Sequence, residues 1–386
     1  MKGKKLAIIG SGRMAWIFGL NAKEMGVETH AFSFDQNSIA ATSVTEHHLI
    51  DIFDMDGIVN ICKGIGIDGV VATTELTIPI AAYVADKLGL KGIPYETSKV
   101  IADKYRNRKA CKNVEEICQP QFAEVLTEEE LAKLNFDYPI ILKPTSKGGK
   151  RGITVVYKQE ELLPAFEFAK SFSGKLPVIV EEYIAGGTEY SVESLSYNGK
   201  HYVVQVTEKI SSGPPHCVEL GHHQPAALSP EMRAKVETAI EKGLAAIGVD
   251  NSTCHTEIKI VDGKIYLIEF NARPGGDNIA WPLTELSTGY PYIKGAIKVA
   301  LGEFEGFDKT MVKPAYAGVF FVVTQSAYLK PLFDVCEQYP WLYKKNFISD
   351  ELQPLEHNDC YGTNSMMYYS KEERPDVNGI LKELKK

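Results

Sequence analysis

Residues 255–277 read HTEIKIVDGKIYLIEFNARPGGD, two runs of alternating apolar and polar residues about the pair Asp262-Gly263. An Asp-Gly pair between such runs signals a β-hairpin. In the first run Ile258 and Ile260 share one face and His255, Glu257 and Lys259 the other. In the second, Tyr266, Ile268 and Phe270 oppose Glu269, Asn271 and Arg273. Register decides whether the two polar sets meet. A two-residue loop would set Glu257 against Ile268, whereas an odd-length loop buries all the apolar residues together. The pattern therefore predicts an odd loop, Glu257 opposite or diagonal to Glu269, and Asn271 two residues on. Two carboxylates and a carboxamide oxygen at close range repel unless a cation lies among them, and these hard ligands suit magnesium or manganese. A magnesium held by few protein groups takes substrate phosphates as its other ligands, so this face predicts a metal–nucleotide site. A solvated hairpin face is the plain alternative, and Arg273-Pro274-Gly275-Gly276 directly after the strand weighs against it.

Other segments carry compatible chemistry. The apolar run YPIILK ends on Lys143, SKGGKRG (146–152) follows, and ITVVY reads as a second strand. A glycine-rich basic hairpin tip can lie over phosphates, because glycine lets the backbone approach and cations supply charge. It is not a P-loop, since the G-x-x-x-x-G-K-[ST] spacing is absent. Residues 178–193, VIVEEYIAGGTEYSVE, place carboxylates at strand ends, where they suit a ribose and an exocyclic amine. Residues 97–112 read as one cation-rich helix. Near the N-terminus, Gly10-Ser11-Gly12-Arg13-Met14-Ala15 follows an apolar strand and Asp35 lies just past the next one, a match to the dinucleotide fingerprint that leaves an NAD-dependent oxidoreductase as an alternative. The preferred reading is a tight strand-to-helix turn. A nucleotide-binding module without turnover is a further alternative.

The elements that must position these groups follow from pattern and size. A chain of 386 residues holds two to four domains. Residues 1–96 alternate short apolar runs with helical patterns, which implies a parallel sheet covered on both faces. Ser229-Pro230 caps a helix whose stripe Met232, Val236, Ile240, Leu244 and Ile247 ends at Gly248. With 42 Lys and Arg against 50 Asp and Glu, the net charge of −8 argues against a nucleic-acid partner. Seven cysteines without a CxxC pair argue for free thiols in a reducing compartment. No apolar run reaches membrane-spanning length, and the run at 6–9 ends too early for a signal peptide, so no membrane partner and a cytoplasmic location are expected.

Taken in order, Asp103-Lys104, IILKP, the glycine loop, EEYI, GTEYSVE, HTEIKI and IEFNARPGGD resemble the ATP-grasp superfamily of ADP-forming carboxylate–amine ligases, over residues 1 to about 300. Within it, HTE, IEFNARPGGD and the stretch 207–231 look most like the L-amino acid ligases, or dipeptide synthetases. After the NAR motif the chain has Pro-Gly-Gly-Asp where biotin carboxylase has Gln-Val-Glu-His, which makes a carboxylase a poorer match. The resemblance implies an α/β fold with a Rossmann-like N-terminal (pre-ATP-grasp) domain at 1–96. An ATP-grasp domain of two α+β subdomains would span 97–302, its lid at about 120–184, and a small β-rich C-terminal domain 303–386. It implies ATP and Mg²⁺, or Mn²⁺, as cofactors, and small-molecule carboxylate and amine substrates, with a homodimer left open.

Residue by residue, the resemblance implies that Lys104 and Lys143 contact phosphates under a lid containing Ser146, Lys147, Gly148, Gly149 and Arg151. Glu181, Glu182, Tyr183 and Ile184 would bind adenine and Glu189 the ribose. Glu257, Glu269 and Asn271 would hold metal, and Arg273 would stabilise phosphoryl transfer and the acyl phosphate. His216, Glu219, His222, His255, Gly275, Gly276 and Asp277 are substrate candidates.

Overall fold

The structure is a computed structural model and describes residues 1–146, 148–214, 217–356, 358 and 360–385. Strands β1 (Lys5–Ile9), β2 (Glu28–Ser33), β3 (Glu46–Leu49) and β4 (Gly69–Ala72) form a parallel sheet in the order β3-β2-β1-β4. Leu6 to Ile9 are fully buried because helices cover both faces. Helix Arg13–Glu24 packs with Tyr292–Ala300 on one side, and helices Met55–Ile65 and Ile78–Leu88 lie on the other. A side chain at Gly10, where φ is +125°, would lie 2.2 Å from Thr73 Oγ1, and that hydroxyl donates to Ile9 O at 2.7 Å. Close approach of β1 to β4 thus accounts for the glycine. Asp35 is exposed and accepts from Asn37 N at 2.9 Å.

The cationic stretch is two helices, Tyr95–Ile101 and Lys104–Ala110, rather than the single one expected. Asp103 breaks it: its carboxylate accepts from Arg106 N at 2.9 Å and so caps a new helix instead of continuing the old one. Strands β5 (Phe122–Val125), β6 (Ile140–Pro144), β7 (Thr154–Val156) and β8 (Val178–Glu182) make a small antiparallel sheet, β5-β8-β6-β7, backed by helix Leu162–Ser173.

The largest element is an eight-stranded antiparallel sheet. It is built from β9 (Thr188–Tyr197), β10 (Lys200–Ser211), β11 (Glu219–Gln224), β12 (Ser252–Val261), β13 (Lys264–Asn271), β14 (Tyr316–Val322), β15 (Leu342–Asn346) and β16 (Asn364–Ser370), in the order β13-β12-β9-β10-β11-β14-β16-β15. The C-terminal strands therefore continue this sheet through the pairing of β14 with β11. Helix Pro230–Ile247, capped by Ser229 and ended by Gly248 at φ +83°, lays Val236, Ile240 and Leu244 against Ile258, Leu267 and Phe270 on one sheet face. That covered face leaves the other free to build a cavity. Among the described residues no helix is long and apolar enough to cross a membrane.

Candidate active site

The cavity is about 840 Å³, within the span of roughly 300–1,000 Å³ usual for small-molecule pockets. The large sheet forms its floor, the small antiparallel sheet its roof, and the turns at 12–14 and 73–76 close one end.

The carboxylate hairpin sits on the floor. Glu257 pairs directly with Glu269, and His255 with Asn271, as the odd register required. The means differ from expectation. The loop is the two-residue pair Asp262-Gly263, both at positive φ, and a β-bulge between Glu257 and Ile258 lets Ile268 stand as an extra residue on β13. Leu267 is buried in the core, while Ile268 and Glu269 in succession both line the cavity. The bulge thus shifts the phase once, so that Phe270 returns to the core and Asn271 to the cavity.

Cations approach these acids from three elements. Lys104 Nζ lies 2.8 Å from Glu269 Oε2, at the start of the helix that Asp103 caps. Burial alone would lower the Lys104 pKa, but Glu269, Glu75 and Glu257 together raise it. Lys150 Nζ is 3.3 Å from Glu189 Oε2, and the surrounding carboxylates outweigh burial and raise its pKa. Lys143 Nζ is 2.6 Å from Glu181 Oε2, but here burial prevails and lowers the lysine. Arg108 holds the other Glu181 oxygen. Burial would raise Glu181, yet the two cations bring it down to about 2.

Arg273, just past β13, pairs with Glu75 from the N-terminal unit, and its Nη1 donates to Pro274 O at 2.8 Å. Its Nε is buried without a hydrogen-bond partner among the described residues. Burial opposes the charge on Arg273, but Glu75 raises its pKa, and Arg273 reciprocally brings Glu75 to about 2 against burial. His255 Nδ1 lies 2.5 Å from the fully buried Glu193, whose other oxygen accepts from Gly275 N at 3.0 Å. A side chain at Gly275 would come within 2.6 Å of both partners of that pair.

Beside this lies a second polar cluster. Lys209 Nζ bridges Glu219 at 2.8 Å and Glu257 at 2.9 Å. His222 Nε2 is 3.4 Å from Glu219 Oε2, outside hydrogen-bond geometry, and burial pushes its pKa down to about 4, so it is neutral. Burial, then the Glu219 charge, raise Asp277 to about 7.

Of the residues expected from sequence, Lys104, Lys143, Gly148, Gly149, Glu181, Tyr183, Ile184, Glu189, Glu219, His255, Glu257, Glu269, Asn271, Arg273, Gly276 and Asp277 line this one cavity. Ser146, Arg151 and Glu182 reach only its rim, since all three are exposed, and Glu182 instead accepts from Gln121 N at 3.2 Å. His222 and Gly275 stand directly behind the lining. Lys147 and His216 lie outside the described residues. Sequence reasoning missed Glu75, Arg108, Lys150, Glu193 and Lys209. Lys150 had a signal in the same basic loop, and Glu193 and Lys209 fall in alternating strands. Arg108 falls in the cation-rich stretch 97–112 but nothing there sets it apart, and Glu75 had no signal, because its partner Arg273 is 198 residues away.

Residues 136–281 match the family described as an ATP-grasp domain. The large chain of carbamoyl phosphate synthase from Vibrio parahaemolyticus is 27% identical over 207 residues, 52% of this chain and 19% of that protein. Alanine–anticapsin ligase from Bacillus subtilis (strain 168) is 26% identical over 255 residues, 58% of this chain and 52% of that one. The chain therefore spans about a fifth to a half of these curated relatives. Among solved structures, the L-amino acid ligase from Bacillus licheniformis superposes with a TM-score of 0.81 at 22% identity, over 100% of this chain and 98% of that one. The N5-carboxyaminoimidazole synthetase from Staphylococcus aureus, solved with ADP, gives 0.78 at 15% over 100% and 96%. These structures share the fold of this chain.

Proposed function

We propose that the chain is an ATP-dependent, ADP-forming carboxylate–amine ligase. It would convert a carboxylate, that of an amino acid, to an acyl phosphate and pass the acyl group to an amine, making an amide or peptide bond. The observation that carries this reading is the meeting of Glu257, Glu269 and Asn271 with Lys104, Lys143, Lys150 and Arg273 in one cavity. Named relatives with ligase activity and the solved ADP complex support it.

Adenine would lie between Ile141 of the roof and Ile268 of the floor, both of which line the cavity, and hydrogen-bond the backbone of 182–184. Glu181 does not serve adenine in this reading, because both its oxygens are committed to Arg108 and Lys143; it holds the lysine in place. Phosphates entering beside Glu189 and Glu269 would draw Lys150 and Lys104 away from these carboxylates, leaving Glu189 for ribose hydroxyls and Glu269 for metal. The donor set of Glu257, Glu269 and Asn271 fits magnesium, since it offers only hard oxygens and two negative charges; when bound, the ion would neutralise phosphate charge. Arg273 has a planar fork suited to the substrate carboxylate and the transferred phosphoryl group together.

The substrate carboxylate oxygen attacks the γ-phosphorus and ADP leaves. The amine then attacks the acyl carbon, loses a proton, and phosphate departs. Asp277, with its pKa at about 7, is suited to take that proton. The glycine-bearing roof would exclude water from the acyl phosphate.

The test is mass spectrometry of products from ATP, magnesium and mixed amino acids, with ADP release measured alongside. An amide whose formation depends on ATP and is matched by ADP release is expected. A product built on a ribonucleotide amine would move the reading to nucleotide or cofactor biosynthesis. Failure to bind ATP in calorimetry would overturn it, as would a fluorescence titration showing saturable NADH binding.

A further inference from the structure

A second constellation sits on the N-terminal sheet, and none of its residues lines the cavity. Parallel pairing sets His30 of β2 opposite Glu46 of the edge strand β3, with His48 two residues further along. Alternate residues of a strand share a face, so Glu28, His30, Glu46 and His48 are presented together. His30 Nδ1 lies 3.0 Å from His48 Nε2 and 3.6 Å from Glu46 Oε2, and His48 Nε2 lies 3.8 Å from that same oxygen. Ligands about 2.0–2.1 Å from a tetrahedral zinc stand roughly 3.3 Å apart, and this triangle brackets that edge.

Three further features support the assignment. His30 Nε2, on the far side of its ring, lies 3.0 Å from Glu28 Oε1, and Glu28 is itself 3.4 Å from Lys5 Nζ. A carboxylate behind a ligating imidazole fixes the tautomer that presents a lone pair to a metal. The His48 ring is held by stacking on Phe32, centroids 4.8 Å apart at 17°. The His30 side chain is 3% exposed whereas that of Glu46 is 59% exposed, so three ligands converge from one side and solvent has access from the other.

We propose that His30 Nδ1, His48 Nε2 and the Glu46 carboxylate bind one Zn²⁺, with water as the fourth ligand. The ion displaces the single proton that the two facing imidazole nitrogens otherwise share, and it ties the edge strand β3 to β2. Two imidazoles and a carboxylate are a donor set that suits zinc better than the all-oxygen ligands of magnesium.

Equilibrium dialysis of the full chain against zinc alone, with cobalt(II) absorption as a second readout, tests this. Wild type should bind one equivalent that His48→Ala and Glu46→Gln weaken at least about tenfold, while Glu28→Gln weakens it about 10–100-fold. Zinc should raise the thermal midpoint of wild type and leave that of both ligand variants unmoved. Glu219, His222 and Asp277 in the cavity also cluster closely enough to take a divalent ion, so His222→Ala must retain the zinc equivalent. Wild type that takes up no zinc, or Glu46→Gln that binds it as wild type does, overturns the proposal. Glu46 is exposed, so its variant stays informative should His48→Ala fold poorly. ATP turnover is read separately and decides only the ligase reading.

Discussion

At the scale of single residues, the cavity separates groups that hold charge from groups that move it. Glu269 both pairs with Lys104 and accepts from Asn271 Nδ2 at 2.8 Å, so it is the acid on which the proposed metal set turns. Glu269→Ala is expected to cut ATP turnover at least about 10²-fold with an unchanged circular dichroism spectrum; normal turnover would remove the metal assignment. Asp277 gives a pH signature. Its folded pKa, at about 7, stands above its ordinary value of 3.8, so the folded state favours its protonated form. The associated stability is present below about pH 4 and is lost as pH rises through 7. Asp277→Asn cannot ionise and should gain stability relative to wild type between pH 4 and 7.5, measured by urea unfolding at both pH values. The same variant should lose the rise in rate that wild type shows through pH 7, with turnover lower by about 10²–10⁴-fold. An unchanged pH–rate profile would exclude Asp277 as the base.

At the scale of elements, the hairpin β12–β13 does two jobs through one irregularity. Up to Leu267 it is a regular ladder from a two-residue turn, and the extra residue Ile268 then adds an apolar contact next to the metal-set carboxylate. Ile268→Ala should raise the KM for ATP about 5- to 30-fold, the equivalent of about 1–2 kcal/mol of lost apolar contact, and leave kcat near wild type. A fall in kcat alone would place Ile268 elsewhere than against the base. The neighbouring strand β9 contributes Glu193, wholly buried between His255 and the backbone N–H of Gly275. Glu193→Ala should cost about 3–5 kcal/mol in chemical unfolding, because it leaves a buried donor pair without its acceptor. A loss under 1 kcal/mol would show that water replaces the carboxylate.

At the scale of the whole molecule, the cavity exists because three sheets are brought together, and two of the contacts between them lie at its end. Glu75, just beyond β4, meets Arg273, just beyond β13, and the roof loop descends until a side chain at Gly148 would lie 2.7 Å from Glu75 Oε1. Gly148 is not at positive φ, so a side chain there adds bulk without backbone strain. Gly148→Val should therefore hold the roof open: kcat should fall up to about 10²-fold while the melting temperature moves little. Normal kcat would mean that the roof need not reach Glu75 for turnover. The net charge of −8 is compatible with a phosphate-binding cavity because Lys104, Arg108, Lys143, Lys150, Lys209 and Arg273 are gathered into it from across the chain.

The sequence by itself determined the strand alternation of the N-terminal sheet, the capped helix 230–247 and the odd register that opposes Glu257 and Glu269. These depend on periodicity and on neighbours within a few residues, so local pattern carries them. It did not reveal how that register arises: a longer loop would bury Tyr266 and Ile268 with Phe270, whereas the bulge buries Ile265 and Leu267 with Phe270 and turns Ile268 to the cavity. It read the basic stretch 97–112 as one helix, because an aspartate inside a helical run looks the same whether it caps or continues; the docking of Lys104 N on Thr145 O and of its side chain on Glu269 decides it. Only the tertiary structure turned Lys150 inward and Arg151 outward, and gave Glu181 to Arg108 and Lys143. Side-chain direction at a loop tip and the choice among ion-pair partners depend on groups 38 to 198 residues apart in this chain, and no spacing along the sequence encodes them.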